Sequence, residues 1–162
     1  MPCTPPPGGA ADRLARMLAD RLEARWKQPV VLDNKPGGGV VVGGRLVGGA
    51  NAIGGEWGHN PLPMPQDDER PGIACYCGRY GCIETWLSGP GLAADHRRTW
   101  SESLPSAEIV ARADAGDHDA NWTMNRYEDR LARALATVIN LLDPDVIVLA
   151  GGMSNVQRLY RN

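Results

Sequence analysis

Three cysteines fall within the eight residues Cys75-Tyr-Cys77-Gly-Arg-Tyr-Gly-Cys82, and a histidine, His59, stands upstream of them across a Pro-, Asp- and Gln-rich stretch. Three thiolates and an imidazole are a soft donor set that suits zinc, and the glycines between the cysteines let the backbone fold tightly enough to aim them at one point. Four protein ligands leave no open coordination position, so the pattern points to a structural rather than a water-activating metal. Two disulfides are the other use for four cysteines, but Cys3 stands apart and so dense a cluster in a Gly-rich stretch reads as metal binding. A trio of buried free thiols is the remaining alternative, and these Pro- and Gly-rich flanks offer little core to bury them in.

The 162 residues suffice for one ordinary domain, and a hydrophobic content of 43% suits a chain that folds. The formal net charge of −2, with both signs interspersed, disfavours nucleic acid and anionic membranes as partners. Apolar runs are too short to span a bilayer and the start lacks a signal pattern, so a cytoplasmic location is expected.

Residues 10–26 place Leu14, Leu18 and Leu22 four apart, which predicts an amphipathic helix. Gln28-Pro29 ends it, residues 30–32 read as a short strand, and residues 33–39 as a loop. Val40-Val41-Val42, Gly43-Gly44 and Arg45-Leu46-Val47 predict a hairpin, because the two glycines accept the positive φ of a tight turn. Residues 60–74 form a long polar connection without periodicity, whose ends a metal held by His59 and Cys75 would close. A short helix is expected at 106–115. A longer one carries Tyr127, Leu131, Leu135, Val138 and Leu142 on one face and stops at Asp143-Pro144. The continuous apolar run at 146–150 reads as a parallel strand buried on both faces, leading into Gly151-Gly152 and giving an α/β pattern.

Gly48-Gly-Ala-Asn-Ala-Ile-Gly-Gly-Glu56-Trp-Gly-His59, followed by Cys75-x-Cys77-Gly-x-x-Gly-Cys82-x-Glu84-Thr, resembles the defining pattern of the ROK family of repressors and sugar kinases. Trp57, Asn60-Pro-Leu-Pro63 and Asp143-Pro-Asp-Val-Ile-Val-Leu-Ala-Gly-Gly152-Met-Ser look most like its fructokinase and mannokinase branch, over residues 40–160. The resemblance implies a partial actin-like, ribonuclease H-like ATPase domain, the carboxyl-terminal lobe of a sugar kinase with a zinc-binding loop. It implies Glu56, His59 and Glu84 as contacts to sugar hydroxyls, with His59 giving one ring nitrogen to zinc and the other to the sugar. It also implies Gly151 and Gly152 as the turn approached by the nucleotide, ATP and magnesium as co-reactants, fructose or mannose as the hexose, and a homodimer. Without the motif, Glu56 and Glu84 read as ordinary solvated carboxylates and Gly151-Gly152 as a simple turn.

An intact kinase of this kind also needs an Asp-x-Gly-Gly-Thr type phosphate loop and an aspartate acting as base, and this sequence shows neither in the family's context; Asp12, Asp20 and Asp33 are the only upstream aspartates. No catalytic residue is assigned, and the chain is expected to be weakly active or inactive. A Walker-type phosphate loop and a helix-turn-helix are not apparent, and the Asn121-Trp-Thr123 sequon carries no weight in a cytoplasmic chain. Residues 5–39, with Pro6-Pro7-Gly8-Gly9-Ala10-Ala11-Asp12-Arg13-Leu14 and Gln28-Pro29-Val30-Val31-Leu32-Asp33-Asn34-Lys35-Pro36-Gly37, resemble solute-binding proteins of tripartite tricarboxylate transporters. The expected organisation is thus an amino-terminal segment at 1–39 and a truncated ROK-like domain at 40–162. The alternatives are a non-catalytic zinc-stabilised sugar-binding module, a transporter's solute-binding protein, or a fusion product.

Overall fold

The computed structural model describes residues 39–161 apart from Ala52. The helix expected at 10–26, the strand at 30–32, the loop up to residue 38, and Cys3 lie outside the described residues. The chain divides into two compact units, Met1–Gly58 and His59–Asn162.

In the first unit the hairpin forms as expected. Strands β1 (Val40–Val42) and β2 (Arg45–Val47) pair antiparallel in the register Val40 to Val47, Val41 to Leu46 and Val42 to Arg45. Gly43 and Gly44 take φ of 57° and 74°, the pair of left-handed residues that matches a two-residue turn to the twist of its strands.

The second unit is helical: α1 (Ile83–Trp86), α2 (Gly89–Trp100), α3 (Ser106–Asp114) and α4 (His118–Leu142). Ser88 caps α2 by accepting the Gly91 N–H at 3.0 Å, and Pro90 sits in its first turn, where the missing N–H has no intrahelical partner to lose. This helix is hard to read in the sequence because Gly89-Pro90-Gly91 looks like a turn. Asp117 caps α4 through the Ala120 N–H at 2.8 Å, and Asp143 closes it in the left-handed conformation before Pro144.

Leu92 of α2, Ile109 and Ala113 of α3, and Ala120, Met124 and Tyr127 of α4 form one core with Val156 from the carboxyl-terminal segment. Arg158 pins that segment to α4 through Glu128, Asn121 and Asn125. The buried stripe of α4 runs through Thr123, Met124, Tyr127, Arg130 and Ala134; of the expected face Tyr127 is buried and Leu131 packs against the core, whereas Leu142 is half exposed. An arginine sits in the buried stripe because buried acids meet it there.

Those acids are Glu69, in a short 3-10 turn at Asp67–Glu69, and Asp95 of α2. Arg130 donates to Glu69 Oε1 at 2.7 Å and to Asp95 Oδ2 at 2.6 Å, and all three side chains are nearly inaccessible. Arg126 and Arg98 add further bonds to Asp95, and Arg133 adds one to Glu69. The Arg130 guanidinium lies 4.4 Å from the buried Trp86 ring centroid. Burial alone would raise the Glu69 carboxyl, but the hydrogen bonds from Arg133, Arg130 and the Gln66 backbone outweigh it and hold it at about 2, below its ordinary 4.5. At Asp95, too, burial is opposed and overcome by Arg130 and Arg126, so its pKa is lowered. A second buried group, His96, meets Thr123 Oγ1 at 2.9 Å, where Trp100 Nε1 also donates at 3.2 Å.

The expected parallel strand at 146–150 is not formed. These residues carry no strand pairing, and Val146 and Val148 are 64% and 74% exposed. A strand needs a neighbour for its backbone groups, and β1 and β2, the strands among the described residues, pair only with each other. The described part is therefore mainly helical rather than an α/β layer. None of its helices is long and apolar enough to cross a membrane.

Removing one partner from the buried ion cluster leaves the others uncompensated. Asp95→Ala is expected to lower unfolding stability by about 3–5 kcal/mol in urea melts, whereas Asp67→Ala at the exposed end of the same turn changes it by about 0–1 kcal/mol. Because both carboxyls titrate lower in the fold than in the open chain, their stabilisation is complete above about pH 4.5 and is lost as pH falls towards about 2. A pH series of thermal melts followed by circular dichroism should show this steepening decline below pH 4.5.

Candidate metal centre

The polar connection ahead of the cysteines is tied at both ends by backbone bonds. Leu62 N–H donates to Gly81 O and Ile83 N–H to Asn60 O, both at 2.9 Å, so the chain beside His59 runs antiparallel to the chain at Cys82. Gly72 lies so close to Gly81 that a Cβ would fall 2.4 Å from the Gly81 Cα, which makes glycine the only residue the crossing admits. Cys75 N–H donates to Arg79 O at 2.8 Å and Gly78 N–H returns to Cys75 O at 3.0 Å, folding residues 75–79 into a tight knuckle. The ends of the connection are thus closed by backbone pairing as well as by whatever the side chains bind.

The expected ligands converge. His59 Nδ1 lies 3.6 Å from Cys75 Sγ, and Cys77 Sγ lies 3.6 Å from Cys82 Sγ. The four donor atoms all lie within 4.8 Å of one another. Zinc bonds of about 2.3 Å to sulfur and about 2.0–2.1 Å to nitrogen give tetrahedron edges of about 3.5–3.8 Å, so the set fits that ion with side-chain adjustments of about 1 Å or less. Cys75 and Cys82 are buried and Cys77 exposed. Burial, followed by the Cys77 and Cys75 thiols, pushes Cys82 up to about 12, whereas the Arg79 backbone holds Cys77 below its ordinary range. Three crowded thiols ionise together only beside a cation, and a divalent metal supplies that charge.

His59 presents two different faces. Its Nδ1 belongs to the cysteine cluster, while Nε2 points outward, 2.9 Å from the Tyr76 hydroxyl and 3.7 Å from Glu84 Oε2. Glu84 rides on α1, whose N-cap is Cys82. The residue that closes the metal set therefore also starts the helix that brings Glu84 to the imidazole. Glu56 lies in the first unit, exposed, its N–H donating to Ile53 O at 3.1 Å. Gly151, with φ of 85°, caps a 3-10 turn at Gly152–Asn155, and a Cβ on either Gly151 or Gly152 would meet nothing within 4 Å. That turn is open, but it follows an exposed segment instead of a buried strand. Tyr76 is the site member that sequence reasoning passed over; its only signal is its place between two ligating cysteines.

The ROK family model matches residues 18–162, and the chain belongs to the ROK family. The match takes in residues 18–39, most of the stretch likened to transporter solute-binding proteins, and so removes the need for a second family there. N-acetyl-D-glucosamine kinase of Pectobacterium atrosepticum is 37% identical over 154 residues, covering 90% of this chain and 51% of the relative. The enzyme of the same name from Yersinia enterocolitica is 37% identical over 136 residues, covering 82% of this chain and 45% of its own. Among solved structures, the ROK hexokinase from Thermus thermophilus superposes with a TM-score of 0.63 at 34% identity, over 74% of this chain and 38% of that one. The described residues thus superpose on part of ROK sugar kinases, whose fold is the actin-like ATPase fold, and the chain spans about half the length of the curated relatives it matches. These relatives are N-acetylglucosamine kinases, so the narrower fructokinase and mannokinase expectation finds no support in them.

Purified without added metal, the chain should carry one zinc per molecule by elemental analysis, and Cys82→Ser should lose most of it. Stripping with a chelator should lower the melting temperature by on the order of 10 °C, reversed by zinc.

Proposed function

We propose that residues 40–162 form the sugar-binding domain of a ROK hexose kinase, and that its sugar is N-acetyl-D-glucosamine or a related hexose. The observation that carries this reading is the two-faced His59, with one nitrogen in the cysteine cluster and the other turned to Glu84. Zinc held by His59, Cys75, Cys77 and Cys82 is structural in this reading. When bound it fixes the imidazole ring and leaves Nε2 as the N–H that faces the sugar.

Glu84 and Glu56 are the carboxylates we assign to sugar hydroxyls. A carboxylate accepts from two neighbouring hydroxyls at once, and the imidazole N–H donates to a third, so Glu84 beside His59 favours a polyol over a carboxylate ligand. The substrate of the whole protein is proposed from the names of its relatives, which favour an N-acetylated hexose over fructose or mannose.

ROK kinases use ATP and magnesium. We assign the nucleotide approach to the open turn at Gly151 and Gly152, where nothing blocks a phosphate or ribose from the backbone. Phosphoryl transfer also needs a base within hydrogen-bond reach of the attacking hydroxyl, and the sequence shows no aspartate in that context. We therefore assign these 162 residues sugar binding and expect weak or no turnover from them, a reading shared with a non-catalytic sugar-binding module.

Titration calorimetry of the zinc-loaded chain with N-acetyl-D-glucosamine, glucose, fructose and mannose tests the reading. Binding of the N-acetylated sugar is expected to be tightest, and Glu84→Gln should weaken it by about 10- to 100-fold, as for hydrogen bonds to a charged group. No hexose binding at all would refute it, and a coupled ATP assay should show no turnover by the 162-residue chain.

A further inference from the structure

Tyr76 is 82% exposed, yet its ring is not free: it packs edge-on against His59, centroids 5.0 Å apart and planes at 85°, and its hydroxyl sits 2.9 Å from His59 Nε2. An aromatic ring so open to water gains little by burial there, so the hydroxyl contact is what gives this rotamer its place. With Nδ1 turned to the metal cluster, Nε2 is the nitrogen that carries the hydrogen of a neutral ring, and it has one hydrogen to give. The Tyr76 hydroxyl accepts that hydrogen beside the Glu84 carboxylate, which lies 3.7 Å from the same nitrogen. A hydroxyl accepting from an imidazole and lying next to a carboxylate is the arrangement the site would offer a sugar hydroxyl.

We propose that Tyr76 is an internal stand-in for the sugar: its phenol occupies the single His59 Nε2 donor, and sugar binds only as Tyr76 swings away. The proposal rests on the sugar-site reading above. One N–H makes one good hydrogen bond, so phenol and sugar hydroxyl exclude each other at this nitrogen. Tyr76 then sets affinity and discrimination together, because a ligand that cannot reproduce the hydroxyl's bond to Nε2 gains nothing by displacing it. Release leaves the fold in place: the side chain is exposed, its hydroxyl gives up His59 and the neighbouring Glu84 carboxylate, and its backbone stays in the knuckle fixed by Cys75 and Arg79.

The test is Tyr76→Phe in the full zinc-loaded chain. Losing one exposed hydroxyl leaves the ring contact and the metal ligands in place, so zinc content should stay at one per chain. N-acetyl-D-glucosamine is expected to bind about three- to tenfold more tightly to the variant, the size of one neutral hydrogen bond no longer competed for. Two spectroscopic readouts accompany calorimetry. The His59 Nε2–H proton, seen by nitrogen-edited NMR without sugar, should shift and exchange faster in Tyr76→Phe. In a chain labelled at tyrosine Cζ, the signal missing from Tyr76→Phe should move in the unsubstituted protein when sugar is added. An unchanged Nε2–H signal in the variant means that the contact is absent and overturns the proposal whatever sugar does. Weaker or equal sugar binding by the variant overturns it as well, since Tyr76 would then hold the sugar or ignore it. A shifted Nε2–H signal with no hexose bound by either protein removes the sugar site itself and the stand-in role with it.

Discussion

Glu69, Asp95 and Arg130 are withdrawn from water together, and the helical unit is arranged around keeping them paired. The three come from a 3-10 turn, from α2 and from α4, so their mutual bonds fix where those elements lie. An ion left alone in this interior would be strongly unfavourable, and that penalty, more than the attraction of any one pair, makes the arrangement specific. Arg98, Arg126 and Arg133 supply the remaining donors, and Trp86 lies against the guanidiniums of Arg98 and Arg130. The cluster also reaches the metal loop, because Glu69 belongs to the same connection that runs from His59 to Cys75. Anchoring Glu69 on α4 holds the middle of that connection while backbone pairing holds its ends.

The candidate metal site draws on this scaffold without depending on long elements of its own. Its ligands are brought together by a knuckle of five residues, a glycine crossing and one stretch of antiparallel backbone. Cys82 joins the two functions of the loop: its sulfur completes the donor set and its backbone begins the helix carrying Glu84. The side of the imidazole away from sulfur faces Tyr76 and Glu84.

Much of the local structure was legible because it follows from near-neighbour rules. Paired glycines between two short Val- and Leu-bearing triplets give the hairpin, a short helix forms at Ser106–Asp114 where one was expected, and the long α4 ends where Asp143-Pro144 predicts. The cysteine and histidine spacing identified a donor set that the fold does assemble. The misreadings share one cause, which is that periodicity reports which residues are apolar and says nothing of what they meet. Residues 146–150 are apolar enough for a buried strand and have no strand beside them among the described residues. The stripe of α4 was placed on leucines because nothing local to Arg130 shows that an acid 61 residues away and another 35 residues away will meet it.

What the sequence by itself determined is the chemistry: three thiols and an imidazole that suit zinc, glycines where the chain must turn or cross, and a motif that placed the chain in its family. These are properties of residue type and short spacing, and they survive whatever the rest of the chain does. The tertiary structure alone decided which charges are buried, that the polar connection is anchored at Glu69, and that Tyr76 reaches the outward nitrogen of His59. Each of these depends on elements distant in sequence, or on one rotamer among several, and so is settled only when packing and hydrogen bonding choose between arrangements that the sequence leaves equal.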